Sequence, residues 1–83
     1  MTLVGLADAP IWSTAHRHHV DDEDIRHALR NWVRVDDGQD DVTLFLGPDR
    51  AGNLIEVGVL DTDDGPVTIH ALRPARLHKF SQD

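Results

Sequence analysis

The chain has 83 residues, with 8 basic and 15 acidic side chains and a formal net charge of -7, and it contains no cysteine. This length predicts one domain, residues 1–83, with a small core. The lack of cysteine excludes disulfides, thiol chemistry and cysteine-ligated zinc, and it is typical of a reducing cytoplasm.

The N-terminal residues predict no targeting or membrane segment. The apolar start of the chain has no basic region before it, and Asp8 interrupts it. We therefore expect neither a secretory signal nor a membrane span, and a cytoplasmic protein. Both ends, residues 1–10 and 81–83, are expected to be loosely held.

Two helices are predicted in the N-terminal half. The first runs from Trp12 to Val20, with Ser13 as its N-cap. The second runs from about Asp22 to Asn31, because Asp21 can cap it and acidic side chains follow at the positive end of its dipole. Its apolar side chains recur at helical spacing and form a stripe for burial: Ile25, Ala28, Leu29 and Trp32.

After Trp32 the apolar period becomes alternating, which predicts four short strands separated by turn-forming segments at 36–41, 47–52 and 63–66. The alternating residues are Val33 and Val35; Val42, Leu44 and Leu46; Ile55, Val57 and Val59; Val67, Ile69 and Ala71. Short gaps favour hairpins, so we predict an antiparallel meander. The fold class is α+β, with two N-terminal helices packed on a four-stranded antiparallel sheet and a short C-terminal tail or helical turn.

The alternation also predicts which side chains face the helices. The helix-facing set is Val33, Leu44, Val57 and Ile69, and the opposite face carries Arg34, Thr43, Phe45, Glu56, Thr68 and His70. This opposite face is either a solvated side of the sheet or a functional site.

The C-terminal residues are the part of this acidic chain in which basic side chains outnumber acidic ones. Residues 67–83 hold three basic side chains and one acid, whereas residues 1–66 hold 5 bases and 14 acids. This asymmetry indicates either an anionic ligand or partner near the C-terminus, or a solvated polar tail.

Two stretches resemble the BrnT family of ribonuclease toxins, which are small relatives of the RelE and ParE toxin fold. In the first, Trp12 precedes Arg17-His18-His19-Val20 and then Asp21-Asp22-Glu23-Asp24. The second is the hairpin 47–57, Gly-Pro-Asp-Arg-Ala-Gly-Asn-Leu-Ile-Glu-Val, followed by the strand 67–73. His19 replaces the family's glycine, and we expect it to adopt the left-handed conformation. Arg73 or Arg76 would replace the arginine at the end of the family's last strand.

The resemblance implies a metal-independent ribonuclease without a cofactor. Its partners would be a cognate antitoxin, expected to be of the ribbon-helix-helix type, and RNA or the ribosome, in a homodimer or hetero-oligomer away from membranes. Attack of a ribose 2'-hydroxyl on the adjacent phosphate needs a base, an acid and cations. The candidates are Glu56 or His70 as base, His70 or His78 as acid, Arg50, Arg73, Arg76 and Lys79 as phosphate-binding residues, and Phe45 as a base-stacking residue.

Two alternatives remain open. The chain could be a non-catalytic toxin relative that binds a partner or regulates transcription, with the acidic segments 21–24 and 36–41 facing a basic partner. The histidines could instead bind a metal, through His16, His18, His19 and His27, although a zinc site usually needs three suitably placed ligands. For His18 we favour packing or hydrogen bonding between helix and sheet.

Overall fold

Our computed structural model describes residues 5–80 of the chain. They fold into a four-stranded antiparallel sheet with an α-helix packed on it, joined by loops and short 3-10 turns. The helix, α1, spans Asp22–Arg30. The strands are β1 Arg34–Asp37, β2 Val42–Pro48, β3 Leu54–Thr62 and β4 Gly65–Leu72. Their spatial order is β1-β2-β3-β4, so the predicted α+β class and antiparallel meander are confirmed.

The predicted architecture with two N-terminal helices is wrong. Within residues 5–80 a single α-helix packs on the sheet, and the predicted first helix is reduced to a 3-10 turn at Ser13–His16. His19, with φ of 64°, lies in the left-handed region as expected from the sequence, and it prevents the turn from continuing as a helix.

The backbone of this segment bonds to β4 instead of to itself. Trp12 N donates to Thr68 O at 2.8 Å, and Thr14 Oγ1 donates to Ile69 O at 2.9 Å. These bonds to the sheet edge satisfy polar groups that a second helix would have used internally. Tertiary pairing therefore overrides the weak helix propensity of a segment with three histidines.

Helix α1 forms as predicted from its cap and its apolar stripe. Asp21 accepts a hydrogen bond from Asp24 N at 3.0 Å, and Ile25, Ala28 and Leu29 are buried. The helix lies so close to β2 that a Cβ at Gly47 would overlap the carbonyl oxygen of Ala28. Glycine at this position permits the close approach of helix and sheet.

The strand register corrects the predicted division of the sheet faces. Val57 lies opposite Phe45 on β2 and Ala71 on β4, and all three are in the core with α1. Phe45 and Thr68 were therefore wrongly placed on the far face. The prediction failed for Phe45 because β2 carries apolar residues at consecutive positions, so alternation alone does not select the buried set. It failed for Thr68 because a register shift between Gly58 and Val59 realigns β4.

The C-terminal segment crosses the sheet face that is turned away from α1. Ala75 N donates to Leu54 O at 3.1 Å, and Leu77–Lys79 form the predicted helical turn. Leu46 and Phe80 are both buried but lie outside the main core cluster. This segment therefore gives the sheet a small second layer.

Part of the N-terminal segment that we expected to be loosely held packs against the rest of the chain. Leu6 is 2% exposed, Ala9 is buried, and Arg26 Nη1 donates to Ala7 O at 2.6 Å. Residues 1–4 and 81–83 of the predicted loose ends lie outside the described residues. No helix within residues 5–80 has the length and apolar character needed to cross a membrane.

Candidate functional site

A buried carboxylate on the sheet face opposite α1 brings together an imidazole and a guanidinium. Glu56 on β3 is 0% exposed, and it accepts hydrogen bonds from His70 Nε2 at 2.8 Å and from Arg76 N at 2.7 Å. Arg76 Nε lies 3.1 Å from both carboxylate oxygens. We call these three residues the Glu56 cluster.

Strand geometry explains why the Glu56 cluster forms. His70 lies opposite Gly58, two residues from Glu56 on the same face of β3, so the two side chains are diagonal neighbours. A Cβ at Gly58 would lie 3.1 Å from the Cβ of His70. The missing side chain at Gly58 therefore leaves room for the imidazole. The prediction that Glu56 and His70 share a face is confirmed.

The pKa of Glu56 indicates which of its predicted roles fits. Burial raises its pKa, but hydrogen bonds from the side chain and backbone of Arg76 and from His70 outweigh burial and bring the pKa to about 2. A carboxylate with so low a pKa takes up a proton poorly. Glu56 therefore suits the positioning of His70 better than the role of general base.

His18 lies beside the Glu56 cluster. Its ring is edge-on to that of His70, with centroids 6.0 Å apart and an interplanar angle of 81°. His18 is exposed, and the side chain of His70 is 27% exposed. We predicted that His18 would pack or form a hydrogen bond between helix and sheet. In the structure its ring contacts the imidazole of His70 on β4.

A second group of charges lies at the start of α1 and the turn between β2 and β3. Arg73 Nε donates to Asp49 at 2.8 Å and its Nη2 donates to Asp24 at 2.9 Å. Arg50 Nε also donates to Asp24, at 2.9 Å, and its Nη2 donates to Asp21 at 3.0 Å. We call these five residues the loop ion network.

Two carboxylates in the loop ion network, those of Asp24 and Asp49, are held in their charged form. Hydrogen bonds from the side chain and backbone of Arg50 lower the pKa of Asp24. For Asp49, burial raises the pKa, and hydrogen bonds from Asn53 N and Arg73 outweigh it, so the pKa is lowered overall. The network therefore ties the turn to α1 through groups that stay ionised at neutral pH.

The predicted phosphate-binding arginines all have carboxylate partners. Arg50 and Arg73 belong to the loop ion network and Arg76 to the Glu56 cluster, and the partner carboxylates raise the pKa of each guanidinium. Their side chains remain 55%, 36% and 42% exposed, respectively. The cationic C-terminus thus neutralises acidic groups of its own chain.

The remaining predicted site residues separate into three environments. Lys79 and Arg76 both line a hollow of about 400 Å³ beside the C-terminal turn. His78 is exposed on the same turn. Phe45 is 1% exposed and packs edge-to-face on Trp32, with centroids 5.9 Å apart, so its ring is covered and not open to a nucleobase.

The histidines proposed as metal ligands point to separate partners. His16 Nε2 lies 2.5 Å from Asp22 Oδ1, and His27 Nδ1 lies 2.8 Å from Pro48 O. Within the described part of the chain, no group of three or more histidine, cysteine, aspartate or glutamate side chains could hold a metal ion.

Comparisons with protein-family models, with curated proteins and with solved structures find no match for this chain.

Proposed function

We propose that this chain is the cytoplasmic toxin component of a type II toxin-antitoxin system and acts as a metal-independent ribonuclease that inhibits translation. The observation that carries the proposal is the Glu56 cluster, in which a buried carboxylate holds a partly exposed imidazole next to a guanidinium. Such a group joins proton transfer and positive charge in one place, as cleavage of a phosphodiester requires.

The geometry favours His70 as the general base. Its Nε2 donates to Glu56, which leaves Nδ1 to accept the proton of a ribose 2'-hydroxyl. Glu56 then stabilises the imidazolium that forms, which is how a carboxylate assists histidine in hydrolase triads. Arg76, which bonds to the same carboxylate as His70, supplies positive charge for the phosphate, and Lys79 lines a hollow together with Arg76.

The negative net charge of the chain favours RNA within a larger assembly over free RNA as the substrate. Phosphate contacts dominate affinity for nucleic acid, and a chain with a net charge of -7 repels free RNA. We therefore propose RNA on the ribosome as the substrate. A DNA-binding antitoxin of the ribbon-helix-helix type would neutralise the chain in a hetero-oligomer.

The loop ion network favours a second candidate function. Arg50 and Arg73 each bond to two carboxylates of their own chain, which leaves less of their charge for phosphate. A non-catalytic toxin relative that binds a partner or regulates transcription would have this property. Absence of RNA cleavage by the wild-type chain, together with binding of a basic partner that weakens steeply with salt, would favour this second function.

Cleavage of ribosome-bound and free RNA in the presence of a chelator tests the proposal. We expect His70→Gln to lower the cleavage rate about 100-fold or more, because general base catalysis typically contributes about 10² to 10⁴. His27→Gln is the matched control, since His27 is a partly buried, hydrogen-bonded histidine on α1.

A charge control completes the experiment. Arg76→Lys removes the paired geometry at Glu56, whereas Arg30→Ala removes an exposed charge at the end of α1. We expect the first change to slow cleavage and the second to leave it unchanged. Equal rates for wild type, His70→Gln and Arg76→Lys would overturn the proposal.

A further inference from the structure

The structure places a second imidazole next to His70, on a segment that hydrogen bonds hold against β4. The two rings are 6.0 Å apart and nearly perpendicular, and His18 is exposed. His18 was not among the predicted catalytic residues, and its 52-residue separation from His70 in the chain hides the contact from sequence patterns.

The segment that carries His18 is anchored on both sides of it. Before it, Trp12 N and Thr14 Oγ1 donate to carbonyl oxygens of β4. After it, His19 adopts a φ of 64° and donates its N–H to His16 O at 3.1 Å. A left-handed conformation is unfavourable for a residue other than glycine, so the turn is held by its surroundings.

We infer that His18 is the general acid of the proposed ribonuclease, paired with His70 as the base; this inference rests on the proposed function. The two imidazoles differ in their partners. His70 is bonded to Glu56, which fixes its tautomer, whereas none of the hydrogen bonds found within residues 5–80 links His18 to a carboxylate. Because His18 is exposed, its ring nitrogens can exchange protons with water.

The step balances with these two groups. The 2'-oxygen forms a bond to phosphorus as its proton passes to His70 Nδ1, and the bond from phosphorus to the 5'-oxygen breaks as that oxygen takes a proton from His18. The products are a 2',3'-cyclic phosphate and a 5'-hydroxyl. Exchange with water then returns the proton from His70 and reprotonates His18.

A substrate whose leaving group needs no proton tests this role. We would compare an RNA oligonucleotide with the same oligonucleotide carrying sulfur in place of the 5'-oxygen at the cleaved bond, because a thiolate leaves without an acid. His18→Gln should cleave ordinary RNA at least about 100-fold more slowly than wild type, and the sulfur substrate within a few-fold of wild type. His70→Gln should be slow on both substrates.

Each other outcome counts against a specific claim. If wild type cleaves RNA and His18→Gln matches it, the inference about His18 is wrong and the proposed function stands. If His18→Gln is equally slow on both substrates, His18 acts in binding or folding and not as an acid. If folded wild type cleaves neither substrate, free or ribosome-bound, the proposed function and this inference are both wrong.

Discussion

The Glu56 cluster and the loop ion network each pair a buried carboxylate with an arginine from the segment after β4. Of the two, only the Glu56 cluster includes a histidine. The loop ion network consists of aspartates and arginines, which keep their charges at neutral pH. The Glu56 cluster adds His70, whose side chain is 27% exposed and touches a second imidazole. The comparison shows that the cationic end pairs with carboxylates of its own chain in both places, and that in one of them the carboxylate also binds a histidine.

The largest effect on stability is expected in the Glu56 cluster. Arg76→Met would leave Glu56, which is 0% exposed, without its guanidinium, and we expect the free energy of unfolding to fall by about 3 kcal/mol. Urea unfolding followed by circular dichroism measures this change. Arg30→Met is the control, and a loss no larger than the control's would contradict the importance of the pair.

A smaller loss of stability is expected when the loop ion network is disrupted. Arg73→Met leaves Asp49 with hydrogen bonds from Ala51 N and Asn53 N, and Asp24 keeps Arg50. We expect the free energy of unfolding to fall by about 1 to 2 kcal/mol in the same urea measurement. A loss as large as that of Arg76→Met would show that the two regions are equally dependent on their arginines.

Acid should weaken the fold through the Glu56 cluster. The pKa of Glu56 is about 2 in the folded chain against an ordinary value of 4.5, so the folded state binds fewer protons than the unfolded state between these values. Its contribution to stability is fully present above the ordinary value and is lost as the pH falls toward 2.

Urea midpoints measured between pH 6 and pH 2 check this expectation. Glu56→Gln should fall less steeply than wild type below about pH 4.5, while the lowered pKa values of Asp24 and Asp49 keep some acid sensitivity in both proteins. Parallel curves for the two proteins would show that Glu56 does not titrate as described.

The smallest effect is expected for Arg50. Its side chain is 55% exposed, so solvent screens its bonds to Asp21 and Asp24. Arg50→Ala should lower the free energy of unfolding by less than Arg73→Met does. A loss above that of Arg73→Met would reverse the expected order within the loop ion network.

Local signals in the sequence were sufficient for α1 and for the strands. Asp21 and the apolar stripe of α1 act within one or two helical turns, and alternation with turn residues marks the meander. The first helix was predicted wrongly because bonds from Trp12 and Thr14 to β4 depend on tertiary structure.

The candidate site was predictable only in part, for the same reason. Glu56 and His70 were assigned to one face because alternation within strands is local. The pairing of Arg73 with Asp49 spans 24 residues and depends on how the turn after β2 meets the end of β4. The contact of His18 with His70 depends on the 3-10 turn, which no periodic signal marks.

The most direct test of the central claim is the rate of RNA cleavage by Glu56→Gln at a pH and temperature where circular dichroism shows it to be folded. If Glu56 holds His70 in its active tautomer, the rate should fall at least about 100-fold relative to wild type, because loss of an orienting carboxylate disables the base. A rate equal to that of wild type would contradict the assignment of the Glu56 cluster as the catalytic site.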